Sequence, residues 1–378
     1  MDNKRVLFVT GTRADFGKLK PLIEKIISDP AVEVYIFATG MHTLAKYGRT
    51  INEIYKCGYR NIFECMNQRI GDPMDLVLSS TIEGLSRYIH ENRPDMLVIH
   101  GDRVEALAGS IVGALNNILV AHIEGGEVSG TIDESIRHAV SKMSHLHFVA
   151  NDDARTRLVQ LGEDVENIFV IGSPDIDIML SGMLPSLADV QSRYQIEFDK
   201  YAIVLFHPVT TEVDLHSDQV RCFVDALIKS DRNYVVIYPN NDEGCEVIHQ
   251  EYRRLQSNNN FRIFPSLRFE WFLCLLKHSE FIIGNSSAGV REAPVYAVPS
   301  IDIGTRQQNR FLYDTITHAD FTVESILSAI DEALNSDKTE PSMHFGIGNS
   351  AQLFHDVLCS EAVWMTSKQK VFRDVLKN

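Results

Sequence analysis

The feature that most restricts the fold is an alternation. Short, unbroken runs of β-prone apolar residues are separated by helical stretches, and the pattern occurs twice. Val6–Val9, Val34–Phe37, Met96–Ile99, Ile118–Ala121, Leu146–Val149 and Ile168–Ile171 read as strands buried on both faces of a parallel sheet. Between the first two, Leu19, Leu22, Ile23, Ile26 and Ile27 recur at helical spacing. Gly172-Ser-Pro-Asp, with Pro185 beyond it, marks a break. The pattern then restarts, with strands at Ala202–Phe206, Tyr234–Tyr238, Arg262–Phe264, Phe281–Ile283 and Pro299–Ile301. The expected fold class is α/β, with two Rossmann-like domains facing across a cleft. The domains are placed at 1–175 and 176–358, each long enough to bury a core. From Gly346-Ile-Gly348 the chain reads as helical to its end, and a tail over 359–378 could pack back on the first domain.

In open parallel sheets, ligands gather outside the carboxyl ends of the strands. The unusual polar clusters fall there. They are Gly11-Thr-Arg13-Ala-Asp15-Phe-Gly17-Lys18, His100-Gly-Asp102-Arg103, His122-Ile-Glu124-Gly-Gly-Glu127, His207-Pro208, Pro239-Asn240-Asn241-Asp242 and Gly284-Asn285-Ser286-Ser287-Ala-Gly289. The first, with Arg13 and Lys18 near a helix start, suits a phosphate or sugar. It equally suits a turn with solvated charges, and it is neither GxGxxG nor a P-loop. The turn at Asn285, with two hydroxyls and an expected helix amino terminus, suits a diphosphate. Glu292 near that helix's first turn could accept ribose hydroxyls, although ordinary capping by Asn285 or Ser287 explains the same residues. Arg306 lies just past another strand. Asp102 and Glu124 follow neighbouring strands and can project into one cleft. Asp133 begins a helix with Arg137 four residues on, and Thr131-x-x-Glu134 also fits a capping box. His207 is a candidate acid/base or phosphate contact, or a structural histidine.

Lys and Arg total 36 against 51 Asp and Glu, a net charge of −15, which argues against a nucleic-acid or anionic-membrane binder. No apolar run approaches the roughly 20 residues of a membrane span, and no signal-peptide core opens the chain, so a cytoplasmic protein is expected. Six cysteines without a CxxC pair read as reduced thiols. His100, His122, His138, His145 and His147 follow no standard zinc spacing, so no metal is expected.

Together these motifs, with Ile132-Asp-Glu-Ser-Ile-Arg-His138, resemble the UDP-N-acetylglucosamine 2-epimerases, in order from about residue 5 to residue 310. The resemblance is closest to the hydrolysing branch, which starts sialic acid synthesis. Ala14-Asp15 and Gly125-Gly126 stand where the non-hydrolysing branch usually has proline-glutamate and alanine-glycine. The resemblance implies a GT-B-like arrangement, UDP bound mainly to the second domain, and conversion of UDP-N-acetylglucosamine and water into N-acetylmannosamine and UDP. It implies Asp102, Glu124, Asp133 and His207 as catalytic residues. Arg13, Ser286, Ser287, Glu292 and Arg306 match UDP contacts, Asn240 a substrate-binding asparagine, and Phe272 the aromatic against uracil. Lys18, Arg103 and Arg137 join the basic groups expected on the substrate side. The resemblance also implies assembly as a homodimer or homotetramer.

The reaction needs no cofactor. The hydrogen on carbon 2 is not next to a carbonyl, so loss of UDP from carbon 1 must run ahead and build an oxocarbenium-like charge that acidifies it. A carboxylate takes the proton, giving 2-acetamidoglucal, and water then adds with opposite configuration. Asp102 and Asp133 are assigned proton transfer, and Glu124 cation stabilisation or water activation. Two rivals are the same reaction on UDP-2,4-diacetamido-2,4,6-trideoxyglucose, of the legionaminic acid pathway, and a GT-B glycosyltransferase. A third is a nucleotide-sugar sensor without catalysis.

Overall fold

A computed structural model describes residues 3–129, 132–209, 216–239, 244–307, 310–336 and 340–374. The chain divides into two compact units. The first comprises Met1–Glu127, Asp133–Ser181 and His344–Asn378; the second comprises Val128–Ile132 and Gly182–Met343.

The first unit is built on seven parallel strands: β1 Lys4–Thr10, β2 Val32–Ala38, β3 Ile62–Glu64, β4 Met96–His100, β5 Leu119–Ile123, β6 Leu146–Val149 and β7 Ile168–Val170. They lie in the order β3-β2-β1-β4-β5-β6-β7. Side chains alternate between the two faces as strand geometry requires. Val6, Phe8, Ile36, Met96 and Val98 join one core with helix Arg13–Ile26, while Leu7, Val9, Phe37, Leu97 and Ile99 join another with helices Met74–Asn92 and Val104–Leu115. The second unit repeats the plan with β8 Ala202–Leu205, β9 Tyr234–Ile237, β10 Phe261–Phe264, β11 Ile282–Gly284, β12 Ser300–Ile303 and β13 Ile316–Ala319. Its order, β10-β9-β8-β11-β12-β13, is the doubly wound arrangement. Strand order reverses between β1 and β4 in one unit and between β8 and β11 in the other, and such switch points are where ligands collect.

The structure departs from the sequence expectations at several places. Strands β3 and β13 carry no continuous apolar run, because each is an outermost strand with little of its surface buried. The division falls at 181/182 rather than 175/176, since helix Pro174–Leu180 buries Ile176 and Met179 in the first unit. The chain rejoins that unit from His344, not from 359. Phe354 packs against Phe8 and Phe148, with ring centroids 6.5 and 4.8 Å away. The Asp177 carboxylate accepts the Ser350 and Ala351 amides at 2.9 and 2.8 Å, capping helix Ser350–Leu358. Burial raises the Asp177 pKa against those bonds. After helix Glu361–Trp364 the described residues, 365–374, are not helical: their apolar pair, Val371-Phe372, is adjacent and exposed rather than spaced along one helical face. All six cysteines are free thiols. No helix among the described residues is long and apolar enough to cross a membrane.

Candidate functional site

In the first unit, the ends of β1, β4 and β5 bring a buried charge cluster together. Glu124 follows β5 directly and adopts φ +62°, a left-handed conformation costing a non-glycine residue about 1–2 kcal/mol. Its amide donates to Phe148 O on the neighbouring strand, which holds the turn. The Glu124 carboxylate meets His100 Nε2 at 3.0 Å, Lys18 Nζ at 3.6 Å and the Ser173 hydroxyl. His100 Nδ1 pairs with Asp15 at 3.1 Å. Burial alone would depress His100, but the Glu124 charge and hydrogen bonds to Asp15 and Glu124 lift its pKa to about 9. It is therefore an imidazolium at neutral pH, held between two carboxylates.

Lys18 was expected on the phosphate side. Instead its ammonium is buried and lies 3.1 Å from Asp175 as well as near Glu124. Helix Arg13–Ile26 buries the face that carries it, so the charge is neutralised inside the acid cluster.

Asp102 lies in the turn after β4, and its carboxylate binds the Arg137 guanidinium. Arg137 Nη1 also donates to Glu124 O at 3.1 Å. Arg137, expected to face substrate, is thus buried as the clamp that joins the Asp102 turn, the end of β5 and helix Ile132–Met143. Asp133 and Glu134 stand in that helix's first turn, half-buried, one turn before Arg137; the other half of the capping box, Thr131, lies outside the described residues. Behind Asp102, His122 Nε2 donates to Gly101 O at 2.8 Å and its Nδ1 accepts from Ser141 Oγ at 3.0 Å. Burial holds this imidazole neutral, with its pKa down to about 3. A Cβ on Gly125 would stand 2.8 Å from His122 Nδ1 and 2.9 Å from Ser141 Oγ, so that bond needs glycine there. Arg13 pairs with Glu53 at 2.7 Å and Arg103 with Glu105 at 3.3 Å.

In the second unit, β8 and β11 run side by side, with Leu205 in register with Gly284. Gly284 has φ +143°, and a Cβ there would lie 1.9 Å from Leu205 O. The Asn285 side chain is wholly buried and clamps the neighbouring strand end. It accepts the His207 amide at 2.7 Å and donates to His207 O at 2.8 Å. Asn285 O receives Arg306 Nη1 at 3.2 Å and Gln307 Nε2 at 2.7 Å. His207, Asn285 and Arg306 are therefore gathered at the switch point, beside the part-exposed Ser286 and Ser287.

The helix expected after Ser287 is not an α-helix. Two short 3₁₀ turns, Ser287–Gly289 and Ala293–Tyr296, take its place, and Glu292 is buried immediately before the second. Gly289 cannot be widened, because its Cβ would meet Ser300 Oγ at 2.4 Å, and Pro294 interrupts any longer helix. The donors this turn offers are therefore individual N–H and hydroxyl groups rather than a helix terminus. Asp302, at the end of β12, has its pKa raised to about 6 by burial, against the pull of His318 and the charges of Arg310 and Arg306. Phe272 is buried on helix Phe269–Lys277. Asn240 lies outside the described residues.

Sequence reading missed Asp15, His100, Ser173 and Asp175 as members of the acid cluster. The first two stood inside singled-out motifs. The latter two lie in Gly172-Ser-Pro-Asp, whose glycine and proline signalled only a boundary.

The fold defines a class: two Rossmann-like α/β units of the GT-B type, each with its polar residues at the switch point. The crystal structure of Methanocaldococcus jannaschii UDP-GlcNAc 2-epimerase in complex with UDP-GlcNAc and UDP shares this fold. Its TM-score is 0.80 at 20% identity, over 94% of this chain and 99% of that one. The sequence profile of the UDP-N-acetylglucosamine 2-epimerase family matches residues 24–359. A UDP-N-acetylglucosamine 2-epimerase of Neisseria meningitidis serogroup B is 50% identical over 98% of this chain and 99% of its own length. A UDP-N,N'-diacetylbacillosamine 2-epimerase (hydrolyzing) of Legionella pneumophila is 32% identical over 94% and 95%. The chain belongs to the UDP-N-acetylglucosamine 2-epimerase family.

Proposed function

We propose that this protein is a hydrolysing UDP-N-acetylglucosamine 2-epimerase, releasing N-acetylmannosamine and UDP for sialic acid synthesis. The observation that carries the reading is the acid cluster, in which Glu124 is held in a strained backbone conformation between His100, Lys18 and Ser173, with Asp102 tied to it through Arg137. A protein that only binds a nucleotide sugar, or passes it to an acceptor, has no use for such a group of acids. The near-full-length identity to the Neisseria enzyme supports UDP-N-acetylglucosamine as substrate. Gly125-Gly126 and the relative named as hydrolysing support hydrolysis.

In this reading UDP is held by Arg13, Ser286, Ser287, Glu292 and Arg306, with Phe272 against uracil, Asn240 on the substrate and His207 among the catalytic groups. Donors on the diphosphate stabilise the leaving group, each by about 3 kcal/mol where well placed. As the bond to carbon 1 breaks, positive charge grows on the sugar, and Glu124 is the carboxylate assigned to stabilise it. Asp102 and Asp133 carry the proton from carbon 2 and return one to it on the other face. Lys18 and His100 both lie against the Glu124 carboxylate, and its assigned role is to stabilise the cation or activate water.

The Legionella relative favours a second reading, the same chemistry on a 2,4-diacetamido-2,4,6-trideoxy sugar. Competition kinetics with both UDP-sugars, with products identified by NMR, separates the two. Free N-acetylmannosamine and a higher kcat/KM for UDP-N-acetylglucosamine support the first reading. Preference for the diacetamido sugar replaces it with the second, and UDP-N-acetylmannosamine as the product ends the claim of hydrolysis.

A further inference from the structure

The segment after the last helix belongs to no motif, yet it reaches the far end of the helix that carries Asp133. Lys370 Nζ has three acceptors: Ser144 O at 2.6 Å, Ser141 O at 3.3 Å and the Glu163 carboxylate. The first two are carbonyls at the carboxyl end of helix Ile132–Met143, where a cation both fills hydrogen-bonding capacity and opposes the helix dipole. Neighbouring residues fix the segment in place. Lys368 O is bonded by His145 Nε2 at 3.0 Å, and Arg373 pairs with Asp164.

The helix so anchored is the one that positions the acids. Asp133 is in its first turn, and Arg137 reaches from its middle to Asp102 and to Glu124 O. Ser141, whose carbonyl Lys370 binds, uses its hydroxyl to hold His122, and His122 holds Gly101 O next to Asp102. A continuous set of hydrogen bonds therefore links the tail to the Asp102 turn.

We propose that Lys370 is a positioning residue for the acid cluster: it fixes the place of helix Ile132–Met143 along its axis and, through Ser141 and His122, the Asp102 turn. The proposal rests on the reading that Asp102 and Asp133 work on the sugar. Lys370→Met leaves Glu163 with its other partners, Lys142 at 3.1 Å and His147 at 3.0 Å, so no buried carboxylate is stranded and the fold persists.

A displacement of about 1 Å at reacting groups can cost about 100-fold in rate, and a fraction of that shift about tenfold. With UDP-N-acetylglucosamine as substrate, Lys370→Met is expected to lower kcat about tenfold, with KM and UDP affinity within twofold of the parent. Lys370→Arg is expected to recover most of the loss. A kcat within twofold of the parent overturns the proposal, as does a parallel fall of kcat, UDP affinity and melting temperature. If the parent itself releases no N-acetylmannosamine, the functional reading has failed, and hydrogen exchange still decides the role of Lys370. Faster exchange in Lys370→Met over residues 132–144 and 101–104 upholds it. Unchanged exchange at both places refutes it.

Discussion

Raising the pH should withdraw a definite amount of stability through one side chain, His100. Its folded pKa of about 9 lies above the ordinary 6.5, because Glu124 and Asp15 favour the imidazolium more than burial opposes it. A raised pKa of this kind stabilises the fold fully below pH 6.5, and the contribution is lost as the pH rises through about 9. At about 1.4 kcal/mol per pH unit, that interval amounts to roughly 3 kcal/mol. The side chain is only 11% exposed, so solvent screening takes little from this figure. The lowered pKa values of His42, His122, His145 and His147 act on the other side of the window, where stability falls as pH drops below 6.5. His100→Asn removes the imidazolium. Of the chain's two tryptophans, Trp364 lies in the first unit, so a Trp271→Phe background lets its fluorescence follow that unit's unfolding in urea. The stability gap between parent and variant is expected to shrink by roughly 3 kcal/mol between pH 6 and pH 9.5. A gap that stays constant over that range would show that His100 is neutral in the folded protein, and the charge assignment of the cluster would be wrong.

Three further outcomes follow from the same contacts. Asn285→Ala leaves the buried His207 N–H and C=O without their side-chain partner, and is expected to cost about 2–4 kcal/mol of second-unit stability and to weaken UDP binding measured by calorimetry. Phe354→Ala opens a cavity between Phe8 and Phe148 and should cost the first unit about 3–5 kcal/mol; a loss under 1 kcal/mol would mean the returning segment is not part of that core. Glu124→Gln keeps the shape but removes the charge between Lys18 and His100, and kcat for the epimerisation is expected to fall at least about 100-fold; near-parent turnover removes Glu124 from the mechanism.

The interior strands could be read from the sequence because each is buried on both faces, as Val6–Val9 and Met96–Ile99 are, and short β-prone runs of that kind alternating with helices suit a parallel sheet. The ends of those strands then placed Asp102, Glu124, His207 and Asn285 without further information. What stayed hidden depends on pairings between distant residues. Arg137 and Lys18 were recognisable as basic but not as spent on Asp102, Glu124 and Asp175, since a side chain's partner is decided by packing that leaves no local periodicity. The turns after Ser287 deceived for a related reason: small residues suited a helix start, while the close approach of Gly289 to Ser300 and the proline at 294 shorten what forms. Lys370 sits in a stretch without any pattern, and only its bonds to Ser141 and Ser144 give it meaning.

In the proposed reaction a carboxylate removes the carbon-2 hydrogen as UDP departs, and water then completes the inversion. Turnover of UDP-N-acetylglucosamine in heavy water, followed by proton NMR, tests it directly. Free N-acetylmannosamine carrying deuterium at carbon 2, formed in step with UDP, is the predicted result. N-acetylmannosamine that keeps its original hydrogen at carbon 2, or a product still joined to UDP, would contradict it.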